Sequence, residues 1–136
     1  MTRIFSASAI ALIASLTSAN AATEIQWWHA MGGELGAKLE EIAKNFNESQ
    51  TDYVIKPSYK GNYVETMTAA IAAFRAKQQP AIVQVFEVGT GTMIAAKGAV
   101  YPVYQLMADQ GEPFDPAAYL PAVAGYYTDT EGNMLS

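Results

Sequence analysis

Ala81 to Phe86 is an almost unbroken apolar run, interrupted by Gln84, and Glu87 follows it directly. Such a run reads as a buried parallel strand. The order therefore sets a carboxylate at the rim of a sheet. A carboxylate there can accept two hydroxyl hydrogen bonds at once, which is how a vicinal diol is held. Position alone leaves a second reading open: a cap for the helix expected near Thr92, or a solvated loop acid.

Tyr63 is the next candidate. Asn62 reads as a helix N-cap with Glu65 three residues on, a box-like pairing for a first turn. Tyr63 then lies on that turn. Its ring could wall a cleft while its hydroxyl donates to a ligand oxygen. Packing against Tyr59 is the alternative. Trp27, Trp28 and His29 form an aromatic strand end. Trp27 and His29 share one face of a period-2 strand and Trp28 takes the other, so one tryptophan is expected in the core. His29 is the only histidine, and a lone histidine reads as structural rather than catalytic.

Other constellations carry no chemistry. The sequence has no cysteine and a single histidine, so neither a thiolate metal site nor a zinc triad is expected. No nucleophile elbow is present. Glu40 and Glu41 are adjacent on a helix and face apart. Gly32-Gly33-Glu34 opens a helix, but Glu34 puts negative charge where an anion would sit. Met93, Met107 and Met134 read as core filler. No catalytic residue, metal or cofactor is expected, and the chain reads as a binder rather than an enzyme.

The elements that must position Glu87 and Tyr63 follow from periodicity. Thr23–His29 and Tyr53–Tyr59 read as strands, with Pro57 marking an edge strand or the end of the second one. Residues 34–47 read as a helix with Leu35, Leu39, Ile42 and Phe46 on one stripe. Val64, Met67, Ile71 and Phe74 make a second stripe. Glu87–Thr92 reads as a turn, Met93–Lys97 as a short helix closed by Gly98, and residues 102–109 as another helix. Asp115-Pro116 starts a further short helix, Ala124–Thr128 reads as a strand and Asp129–Asn133 as a turn. The order β-α-β-α-β-α predicts an α/β layer with a largely parallel sheet flanked by helices. Ligands of such sheets bind beyond the carboxyl ends of the strands. Three loops meet that description: His29–Glu34, Lys60–Tyr63 and Glu87–Thr92.

Arg3, the apolar stretch from Ile4 to Leu16 and the small-x-small Ala19-Asn20-Ala21 read as an export leader over residues 1–21. Without Arg3, 7 basic residues face 13 acidic ones, a net charge of −6. No basic residue follows Lys97, although five acids do. Nucleic acid is therefore excluded as a partner, because its phosphates need a basic surface. The sequence stops at Ser136 where a new apolar run begins, which reads as a truncated chain.

Several runs together carry a family resemblance. They are Trp28-His29-Ala30-Met31 with Gly33-Glu34-Leu35-Gly36, Tyr59-Lys60-Gly61-Asn62-Tyr63, Ile71-Ala72-Ala73-Phe74-Arg75, Pro80 through Thr90, and Gly125-Tyr126-Tyr127-Thr128-Asp129. The sequence resembles the periplasmic glycerol-3-phosphate-binding proteins of ABC importers. The resemblance implies a type II periplasmic binding protein, with residues 22–136 as its incomplete N-terminal α/β lobe. It implies a monomer that closes two lobes on a small polyol phosphate and hands it to inner-membrane ABC permease subunits. Tyr63 and Glu87 match the family's cleft tyrosine and glutamate. The family's remaining contacts have no counterpart here, so this lobe is expected to hold the glycerol hydroxyls and the phosphate to be held beyond Ser136. Lys60 is expected to be a solvated loop residue and Arg75 to lie away from the cleft. An oligosaccharide binder of the same superfamily is the alternative. A periplasmic hydrolase, for which no paired carboxylates or nucleophile–base pair are visible, and an interaction module stand further off.

Overall fold

A computed structural model describes residues 21–96 and 98–136. Except for Ala21, the expected leader lies outside the described residues, as does Lys97. Strand β1 (Thr23–His29) leads to helix α1 (Gly33–Ser49), β2 (Tyr53–Tyr59), α2 (Tyr63–Arg75), β3 (Ile82–Val83) and α3 (Glu87–Ala95). Helix α4 (Val103–Gln110), a 3₁₀ turn at Pro116–Ala118 and α5 (Pro121–Tyr126) follow.

The three strands form one parallel sheet in the order β2-β1-β3. Thr23 pairs with Tyr53 and His29 with Tyr59, while Trp27 pairs with Ile82 and Trp28 with Val83. Pro57 lies on β2, at the edge of the sheet, where its missing N–H costs no ladder bond. The open side of β2 is partly covered by Asn47 of α1. Its amide accepts from the Ile55 N–H at 2.7 Å and donates to the Ile55 carbonyl at 2.9 Å. One side chain thus stands in for a neighbouring strand. Gln50 ties the end of α1 to β2 in the same way, accepting from the N–H groups of Asp52 and Tyr53.

The core is thin. Ala43, Ala70 and Met134 are its buried apolar residues among those described. Most of the stripe read on α1 does not face the sheet: Leu35 is 63% and Ile42 57% exposed, and Phe46 is 38% exposed. The face turned inward carries Gly36, Ala43 and Asn47, joined from the stripe by Leu39 alone. Small residues and a hydrogen-bonding amide let the helix lie close to β2, and this contact overrides the apolar stripe beside it.

Two further expectations are corrected. The run 81–86 forms a strand only at Ile82–Val83, because Gln84 turns its side chain to the β1 end and Phe86 adopts the extended N-cap geometry of α3. Residues 87–95 are then one continuous helix rather than a turn and a short helix. Ala124–Thr128 is not a strand either. Pro121 starts α5 and Tyr127 closes it. Thr128 makes only an isolated antiparallel bridge to Met134. A strand needs a partner for its backbone groups, and the small residues here satisfy theirs in a helical turn. The helices expected around 34–47, 102–109 and after Asp115 are present, the last capped by the Asp115 carboxylate on Ala117 N–H at 2.9 Å.

Candidate functional site

Because all three strands are parallel, their carboxyl ends share one edge of the sheet, and α1, α2 and α3 all begin there. The chain runs from β1 outward to β2, then crosses back to β3 on the other side of β1. The reversal places the crevice between β1 and β3, the position at which open α/β sheets accept ligands. Gln84 fastens its floor. Its N–H donates to the Trp28 carbonyl at 2.8 Å and its side-chain oxygen accepts from Ala30 N–H at 3.0 Å. Gln84 was not singled out as a site residue in the sequence, although a polar residue inside an apolar run is the signal that marks it.

Tyr63 opens α2. The Asn62 side chain accepts from Glu65 N–H at 3.0 Å while the Glu65 carboxylate accepts from Asn62 N–H at 2.7 Å. This reciprocal capping box fixes the first turn on which Tyr63 sits. Gly61, with φ of +90°, makes the preceding reversal, a conformation that a side chain would strain. The Tyr63 ring packs on Phe86, with centroids 5.5 Å apart, and not on Tyr59, whose ring lies against His29 at 6.0 Å.

Glu87 opens α3, one residue beyond Phe86, so Phe86 links the two candidate residues. Glu87 is exposed, and no hydrogen bond or ion pair engages its carboxylate among the described residues. It lies on the first helical turn of α3 rather than at a strand rim. Gly89 holds this start close to α2: a Cβ there would fall 2.8 Å from the Phe86 ring and 3.0 Å from Met67 sulfur. The Tyr126 hydroxyl, from α5, donates to the Glu87 carbonyl at 2.7 Å. No local signal in the sequence ties Tyr126 to a group 39 residues away.

Two neighbouring groups differ from expectation. His29, rather than either tryptophan, is the buried aromatic of β1, at 2% exposure, with Trp27 on its own face at 6.1 Å. Neither His29 ring nitrogen has a protein hydrogen-bond partner among the described residues. Lys60 is not a free loop cation. It is half-buried, its N–H donates to the His29 carbonyl at 2.9 Å, and its ammonium lies 4.3 Å from the centre of the Trp28 ring.

A roomy hollow lies elsewhere. It encloses about 870 Å³ among α2, β3, α3, α4 and the last residues, and Ile71, Phe74, Val83, Met93 and Leu106 line it. Arg75 also borders it, far from Tyr63, and neither Tyr63 nor Glu87 does. Its lining is mainly apolar, with Arg75 and Gln84 among its polar members, whereas the crevice at the strand ends is where open α/β sheets accept ligands.

The chain also has relatives by sequence. No family model matches the chain. It is 48% identical over 134 residues to the sn-glycerol-3-phosphate-binding periplasmic protein UgpB of Rhizobium meliloti (strain 1021), across 98% of this chain and 31% of that protein. The protein of the same description from Yersinia pestis bv. Antiqua is 54% identical over 120 residues, 88% of this chain and 27% of its own length. This chain is a relative of the sn-glycerol-3-phosphate-binding periplasmic proteins. It spans about a third of the length of these binding proteins. Solved structures with the same fold include the cyclic α-maltosyl-1,6-maltose binding protein from Arthrobacter globiformis, with a TM-score of 0.67 and 20% identity over 83% of this chain and 27% of that one. An ABC substrate-binding protein from Listeria monocytogenes in complex with cycloalternan gives 0.65 and 16% over 83% and 28%. The fold is therefore that of ABC substrate-binding proteins, a parallel sheet flanked by helices.

Proposed function

We propose that this chain forms part of the substrate-binding component of an ABC importer, capturing glycerol 3-phosphate or a glycerophosphodiester in the periplasm and delivering it to the membrane permease. The protein acts as a monomer and as a carrier rather than an enzyme. The observation that carries the reading is the identity of 47–54% to proteins of that description. The strand-end crevice supports it physically. Glu87 offers a free carboxylate for two hydroxyls, and Tyr63 offers a hydroxyl on a ring held by Phe86. Phosphate needs concentrated donors or positive charge, which the remaining two thirds of such a protein would supply.

The test uses a chimera in which this chain replaces the matching third of the Rhizobium meliloti relative. Titration calorimetry should show binding of glycerol 3-phosphate by the chimera, and this chain alone should show no ligand-induced melting shift. A chimera that folds yet ignores the compound would sink the reading. The solved neighbours that bind cyclic oligosaccharides favour a second reading, an oligosaccharide carrier. Cycloalternan titrated into the same chimera separates the two, and phosphate release monitored alongside checks for hydrolysis.

A further inference from the structure

We propose that Lys60 is a specificity-determining cation of this crevice, biasing it toward ligands that carry negative charge beside their hydroxyls. The inference rests on the binding reading above and assigns a role to a residue that reading leaves out.

Lys60 follows the last residue of β2, and its backbone is tied to the end of β1 by the bond to the His29 carbonyl. Its ammonium is held over Trp28, which pairs with Ser58 on one side and Val83 on the other. The charge is thus fixed at the carboxyl end of the central strand. Other described cations are committed or remote. Lys38, Lys44 and Lys56 pair with Glu41, Glu48 and Glu24. Arg75 ends α2, at the far end from Tyr63, and Lys77 lies beyond it. Lys60 makes no ion pair among the described residues and is the one described cation at this edge of the sheet.

Its surroundings make the charge consequential. Glu34, Glu65 and Glu87 occupy the first turns of the three helices that start here, and the sequence carries a net charge of −5. An anion approaching Glu87 meets repulsion, which an ammonium at the same edge of the sheet offsets. The cation–π contact holds the long stem in place, so binding immobilises it at lower entropic cost. The ring face satisfies the ammonium only in part, which leaves N–H donors for an anion or for water bound to one.

The test is calorimetry of the chimera with glycerol 3-phosphate in 20 mM and 500 mM NaCl, comparing the parent with Lys60→Met and Lys60→Arg. Methionine keeps an apolar stem over Trp28 and removes the charge. At low salt Lys60→Met should bind about three- to tenfold more weakly, and the gap should narrow at high salt as the charge is screened. Lys60→Arg should stay within about twofold of the parent. Unchanged affinity in Lys60→Met, or an equal loss at both salt concentrations, overturns the proposal while leaving the binding reading intact. A parent chimera that does not bind glycerol 3-phosphate overturns both. Melting temperatures of all three proteins establish that each is folded.

Discussion

The hydroxyl of Tyr126 donates to the backbone carbonyl of Glu87 at 2.7 Å, joining α5 to the first turn of α3 across 39 residues. The bond braces the first turn of α3, from which the Glu87 side chain projects. Tyr126 is exposed, so the bond contributes at the low end of the ordinary range, about 0.5 kcal/mol. Tyr126→Phe in the chimera should therefore lower stability by about that much in urea unfolding and weaken glycerol 3-phosphate binding about twofold. A stability change with no change in affinity would show that α5 does not position Glu87.

Glu87→Gln should act on binding and not on folding. No protein group engages its carboxylate among the described residues, so no native contact is lost. Hydrogen bonds to a charged group contribute roughly 1.5–3 kcal/mol, or about ten- to 150-fold in affinity. Calorimetry of the chimera should show a loss in that range at an unchanged melting temperature. Equal affinity would remove Glu87 from the site.

Tyr63→Phe separates hydroxyl from ring. Packing on Phe86 survives, so stability should hold while affinity falls by up to about tenfold, one neutral hydrogen bond. Tyr63→Ala should lose stability as well, because the aromatic pair and its buried area go with it.

Asn62→Ala removes the acceptor for Glu65 N–H and the partner that shapes the capping box. Loss of an N-cap costs about 1 kcal/mol, readable as a shift in the urea midpoint. Asn62→Ser should recover most of it, and an alanine variant as stable as the parent would show that the box is redundant with packing of α2.

Asp129 gives a pH signature. Its carboxylate accepts from the N–H groups of Asn133 at 2.8 Å and Glu131 at 2.9 Å, and from the Asn133 side chain at 3.0 Å. The Asn133 backbone bond is the largest cause holding its pKa below the usual aspartate value, with the side-chain bond next. A depressed folded pKa means the stabilisation is fully present above the unfolded value of about 3.9 and is lost as pH falls through the folded one. Asp129→Ala should therefore melt below the parent at neutral pH. The difference should shrink below about pH 4; a constant difference down to pH 2 would rule out the carboxylate as its source.

Composition and local pattern were enough to determine the layer architecture. The β-α-β alternation, the edge role of Pro57 and the Asn62–Glu65 box are local or periodic facts, written within a few residues of where they act. They also placed Tyr63 and Glu87 at the carboxyl-end edge of the sheet, since parallel strands joined by helices must all end on the same side. Tertiary structure decided everything that depends on which distant groups meet: Phe86 rather than Tyr59 under Tyr63, Gln84 ending β3 early, Tyr126 on the Glu87 carbonyl, and Lys60 over Trp28 instead of in water. It also decided which face of α1 turns inward, because the hydrogen bonds of Asn47 to a strand edge and the close approach allowed by Ala43 outweigh an apolar stripe of which Leu35 and Ile42 stay exposed. Periodicity records that a face is apolar; only the arrangement of neighbours records what covers it.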